Sequence, residues 1–125
     1  MINEFGKVLR KLRIDEDERL QHMSKRIGKS SAFISAVERG DKSPPSGFEE
    51  NIIKAYGLVG QAAEALRVAA DDARKSFTIE PKTKLERDAV GLMARRVNSN
   101  VDSFSEEELK KLLSVLRRED GQNDP

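Results

Sequence analysis

Glycines at positions 28, 40 and 57 each close a short segment of helical apolar periodicity. The first half of the chain must therefore fold as brief helices joined by tight turns. Ahead of them, Phe5, Val8, Leu9 and Leu12 recur on one helical face, leaving Lys7, Arg10, Lys11 and Arg13 on the others. Asp15-Glu16-Asp17-Glu18 offers capping side chains and negative charge to a second helix carrying Leu20, Met23 and Ile27, which Gly28 ends. Ser30 or Ser31 can cap a third helix, SAFISAVERG, striped with Phe33, Ile34 and Val37 and stopped by Gly40. Residues 41–47, DKSPPSG, read as a loop, and a fourth helix turns Phe48, Ile52, Ile53 and Tyr56 inward.

The second half predicts three more helices. From about residue 60 to 76, Ala62, Leu66, Ala69 and Ala73 fall at heptad-like spacing on a small, flat face. Phe77-Thr78-Ile79-Glu80 alternates ahead of Pro81, the pattern of one short strand. Thr83 or Lys84 opens a helix with Leu85, Ala89, Leu92, Met93 and Val97, broken at Asn98-Ser99-Asn100. Ser105 and Glu108 form a capping box before Leu109, Leu112, Leu113 and Leu116, a strong one-sided stripe. The tail EDGQNDP is expected to be disordered. The expected fold is all-α with one short strand at most, divided into a domain at 1–58, a helical dimerisation region at 59–119 and a tail at 120–125.

Composition removes several chemistries. With no cysteine and one histidine, there can be no disulfide, thiolate site or multi-histidine zinc cage. No metal, cofactor or enzymatic activity is expected, since no acid/base constellation stands out; the acidic run at 15–18 is better explained by capping and solvation. His22 reads as a rim residue without a role. No apolar run approaches the ~20 residues that span a bilayer, and the N-terminal segment lacks a signal-like stretch. A cytoplasmic protein of bacterial, phage or plasmid-borne origin is the expectation, with no membrane partner. The 23 basic and 22 acidic residues nearly cancel, yet Lys25, Arg26, Lys29, Arg39 and Lys42 gather around the third helix.

A short helix closed by glycine, a tight link and a helix with small polar residues on its outer face make the pattern of a helix-turn-helix. SKRIGKSSAFISAVERGDKSPPS, with LRKLR before it, resembles the lambda-repressor-like or XRE-type helix-turn-helix domain from about Phe5 to Leu58. The resemblance implies that the first helix of the pair crosses the DNA backbone and the second enters the major groove. It assigns Ser31, Ala32, Ser35 and Ala36 to base readout, and Arg19, Lys29, Ser30, Arg39, Lys42 and Ser43 to phosphates. It also implies that Ser24 packs against the recognition helix and that Glu38 makes a structural contact. Leu20 stands where the family often has a DNA-contacting glutamine, and Lys29 where valine is usual.

These readings converge on a dimeric transcriptional repressor that binds double-stranded DNA at an inverted repeat. Leu66, Ala69, Ala73, Phe77 and Ile79 are the expected dimerisation residues, with Phe77 to Glu80 pairing across the dimer or clamping the helix beside it. The alternative is an antitoxin, whose C-terminal half binds and neutralises a toxin while its N-terminal half autoregulates. A plain solvated face competes with the DNA reading of the basic cluster, and is the simpler account of Lys110, Lys111, Arg117 and Arg118 on the last helix.

Overall fold

A computed structural model describes residues 2–119. Among them the chain is all-helical, with α1 Glu4–Asp15, α2 Leu20–Ile27, α3 Ser31–Glu38, α4 Phe48–Tyr56, α5 Gly60–Ala73, α6 Lys84–Val97 and α7 Glu106–Leu116. It divides into two compact units, Met1–Thr78 and Ile79–Pro125. The disorder expected at 120–125 lies outside the described residues.

The first unit has a single core. Phe5 and Leu9 of α1, Met23 and Ile27 of α2, Ile34 and Val37 of α3, and Phe48 and Ile52 of α4 are buried together with Leu66 and Ala70 of α5. Phe48 is the central ring, tilted on Phe5 at 5.9 Å and edge-on to Phe33 at 5.8 Å. Two expectations change here. The compact unit does not end at Leu58 but runs through Thr78, because α5 supplies Ala63, Leu66 and Ala70 to the same core. Leu66 is fully buried, and Ala69 and Ala73 pack against the core, so this face of α5 is occupied within the monomer.

The short strand at 77–80 is absent. The segment is unpaired and wholly exposed, because four alternating residues have no neighbouring ladder to join. α5 also stops earlier than its periodicity predicts. Arg74 takes extended angles (φ −97°, ψ 139°), which turn its side chain back toward the 41–47 loop.

α1 and the end of α3 meet at close range. Asn3 caps α1 by accepting from Gly6 N at 2.7 Å, and its own N–H donates to Glu38 O at 3.0 Å. Gly6 makes this approach possible, since a Cβ there would lie 2.5 Å from Glu38 O. Ion pairs join the helices further: Arg13 of α1 grips Glu38 through both guanidinium nitrogens, at 2.5 and 3.2 Å. Glu18 accepts from Arg26 at 2.7 Å and from the Tyr56 hydroxyl at 2.7 Å, tying the start of α2 to α4. Burial and the Glu18 carboxylate push the Tyr56 phenol above its ordinary range.

In the second unit, α6 and α7 each open with a full capping box, Thr83 with Glu86 and Ser105 with Glu108. Arg96 lies over the Phe104 ring at 4.1 Å and donates to Asp102 O at 3.0 Å and to Glu108 at 3.2 Å. Neither helix contains a buried residue.

Candidate nucleic-acid interface

α2 ends at Gly28, whose left-handed conformation (φ 71°) lets the chain reverse without a Cβ penalty. Gly28 N and Lys29 N both donate to Ser24 O, and the Ser24 hydroxyl donates to Lys29 O. Ser24, expected to pack against α3, thus closes the turn through hydrogen bonds. Ser30 then caps α3, accepting from Phe33 N at 3.1 Å. Asn51 of α4 donates to Ile27 O at 2.9 Å and holds the end of α2 from behind.

On α3, Ile34, Val37 and Glu38 are buried. At ~100° per residue, Ser31, Ala32, Ser35 and Ala36 fall on an arc about 140° wide turned away from Ile34 and Val37. The four expected readout residues therefore share one outward face, with Ala32 the most open and the others half-exposed. Ser35 is already engaged, because Arg39 reaches back one turn and donates to its hydroxyl. Glu38 is bound to Arg13 and takes no part in the outward face.

The expected phosphate contacts separate into two kinds. Arg39 is paired with Asp41 at 3.1 Å. Arg19, Lys29 and Lys42 are exposed and form no ion pair among the described residues, nor does Lys25. Lys29 and Lys42 approach Phe33 together, their ammonium groups 5.6 and 5.5 Å from its ring centre. Lys29 thereby covers apolar surface while keeping its charge outside. Ser43 is exposed on the following loop.

That loop is fixed at both ends. Asp41 N and Lys42 N donate to Ala36 O at 2.9 and 3.3 Å. At the far end the Arg74 guanidinium donates to Pro44 O at 2.8 Å, Pro45 O at 2.6 Å and the Glu49 carboxylate at 2.9 and 2.5 Å. These Arg74 hydrogen bonds hold the Glu49 carboxyl below the usual carboxylate range despite its burial.

Three participants were not singled out from the sequence. Phe33 reads from the sequence only as a core residue, although Lys29 lies one turn away at i−4. Arg74 carries no local motif, since its strong partners Pro44, Pro45 and Glu49 lie 25 to 30 residues earlier. His22 caps α2, its Nδ1 accepting from Arg19 N at 2.8 Å, where a glutamate would have signalled a capping box more plainly. Of the expected dimerisation residues, Leu66 is internal, while Phe77 and Ile79 are 60% and 57% exposed.

Among the described residues no helix is long and apolar enough to cross a membrane. No family model matches the sequence, and no curated protein or solved structure shows significant similarity to it.

Proposed function

We propose that the chain is a sequence-specific regulator of transcription, a cytoplasmic, dimeric repressor that binds double-stranded DNA through a lambda-repressor-like helix-turn-helix and catalyses no reaction. The observation that carries this reading is the outward face of α3, small along the whole helix and bordered by the unpaired Lys29 and Lys42. Small side chains bring the helix backbone near the groove floor, so Ser31, Ala32 and Ala36 allow close approach to base edges and thymine methyl groups. On this reading α2 lies across the backbone, with Arg19 and the Ser30 hydroxyl reaching phosphate oxygens. Lys29 and Lys42 flank the groove, and Ser43 follows them. Arg39 joins the phosphate contacts only by exchanging Asp41 for DNA.

Small side chains make few bidentate base contacts, so part of the specificity is assigned to DNA shape and deformability. Phosphate neutralisation then dominates affinity, and log affinity falls against log salt by about 0.9 per neutralised phosphate. The test is selection of bound fragments from random duplex DNA, followed by fluorescence anisotropy across a salt series. Lys29→Ala with Lys42→Ala should flatten the slope by nearly 2, with less change from Arg39→Ala alone. No enriched sequence, together with an unchanged slope in the double variant, would remove DNA binding from the account.

A further inference from the structure

The second unit is a helical hairpin without an interior. Its two helices contain 14 and 11 residues, too few to be stable in water without tertiary burial. Between them Ala89, Leu92 and Met93 of α6 face Leu112, Val115 and Leu116 of α7 across an unfilled groove of about 520 Å³. Leu92, Val115 and Leu116 remain 56%, 59% and 70% exposed. Leu109 and Leu113, each 42% exposed, widen the apolar arc of α7 beyond what α6 faces. An arc this wide belongs to a helix with more than one helical neighbour.

We propose that a second copy of this chain covers the hairpin, forming a four-helix bundle in which the two α7 helices run antiparallel across a two-fold axis. The charge pattern of α7 selects this occupant. Glu106, Glu107 and Glu108 form its first turn, and Arg117 and Arg118 follow its last. In an isologous contact, residue i meets residue j of the copy and j meets i. At ~100° per residue Glu106 and Arg117 border the exposed face of Leu109 and Leu113, while Glu107 lies on the far side and Glu108 is held by Arg96 of α6. An antiparallel axis passing near Leu112 sets Glu106 of each helix against the Arg117 end of the other. The same axis sets Leu109 opposite the Leu116 level and brings Leu112 and Leu113 to the centre. One symmetry operation thus satisfies both the apolar ladder and the charges. A copy with parallel α7 helices would place acid on acid and base on base.

This interface lies on α6 and α7, not on the Leu66, Ala69 and Ala73 face. It rests on the proposed function only for the use of the dimer, in pairing two half-sites; the association itself needs no DNA.

Sedimentation equilibrium of the full chain, without DNA, tests the inference. The wild type should have the mass of two chains at micromolar concentration. Leu92→Glu with Leu116→Glu should raise the dimer dissociation constant at least 100-fold, with the helical signal of the first unit retained. Because that variant could unfold the hairpin, charge exchange gives a second test. Glu106→Lys should weaken association severalfold, and adding Arg117→Glu should restore it. An effect confined to each helix predicts the reverse, since both changes oppose the helix dipole and the double variant would be weakest. A monomeric wild type would overturn the inference and favour a different protein, such as a toxin, as the occupant. Failure of the double variant Glu106→Lys with Arg117→Glu to recover would overturn the antiparallel two-fold. DNA binding by a monomer, or a dimer without DNA binding, would separate failure of this inference from failure of the functional reading.

Discussion

Replacing Arg74 by methionine should remove more stability than any other single change at the rim of the 41–47 loop. Methionine keeps most of the apolar stem but deletes every donor. The Arg74 side chain is 8% exposed and that of Glu49 12%, so the remaining carboxylate is left largely out of water without its cation. Breaking a buried pair by removing one partner costs about 3–5 kcal/mol. The carbonyl of exposed Pro45 can take water instead, so the lower end applies and about 3 kcal/mol is expected. With a urea m-value of roughly 1.5 kcal/mol/M, the midpoint should fall by about 2 M. Arg74→Met with Glu49→Leu should recover most of the loss, because a buried pair is nearly neutral against apolar residues of similar volume. The pair also sets an acid limb. The folded Glu49 carboxyl titrates below its unfolded value, so its contribution is complete above the ordinary carboxylate range and disappears as pH falls through the lowered value. Urea unfolding at several pH values reads all three effects. A loss below 1 kcal/mol in the single variant, or no recovery in the double, would refute the clamp. Because the clamp holds the loop that carries Lys42 and Ser43, Arg74→Met should also weaken DNA binding while leaving the face of α3 unchanged.

Tyr56→Phe should cost about 1–2 kcal/mol by removing a hydrogen bond to a carboxylate. In the wild type the folded phenol ionises above its unfolded value, so its contribution is present below about pH 10 and is lost as pH rises past it. The variant should lack that alkaline decline in a pH series of thermal unfolding, and an identical decline would acquit Tyr56. Gly6→Ala sets two effects against each other. Helix propensity favours alanine by about 1 kcal/mol, but the new Cβ would meet backbone at Glu38 O, 2.5 Å away, and overpacking costs about 1–3 kcal/mol. Net destabilisation in urea is expected, and a more stable variant would show that α1 and α3 can move apart.

Local signals were legible and distant pairings were not. The helices of the described residues follow mainly from apolar period and glycine stops, which operate within a few residues; the acidic run at 15–18 does not cap α2, which opens at Arg19 with His22. Ser30, Thr83 and Ser105 cap as their positions predict. The outward face of α3 was equally legible, because the 3.6-residue repeat separates Ser31, Ala32, Ser35 and Ala36 from Ile34 and Val37. The use of α5 was not. A small alanine-rich face suits a dimer seam and an internal helix equally well, and only the position of α1 and α4 decides that Leu66 lies inside. For the same reason Phe77 to Glu80 read as a strand: alternation is a local property, whereas a strand needs a neighbour to pair with.

The nearly balanced total charge conceals a division of labour between two kinds of cation. Arg13, Arg26 and Arg74 each use planar, multiply donating guanidinium groups to bind glutamates and fix one helix to another. Lys25, Lys29 and Lys42 lie outside such pairs among the described residues. Counting charges over the whole chain therefore says little about the potential at α3, because internal pairs cancel arginine against acid and leave Lys25, Lys29 and Lys42 exposed near it. The electrostatic case for DNA depends on unpaired lysines at one surface and not on net charge. It follows that Lys29 and Lys42, rather than the better donor Arg39, should dominate the salt dependence: Asp41 must be displaced before Arg39 can reach a phosphate.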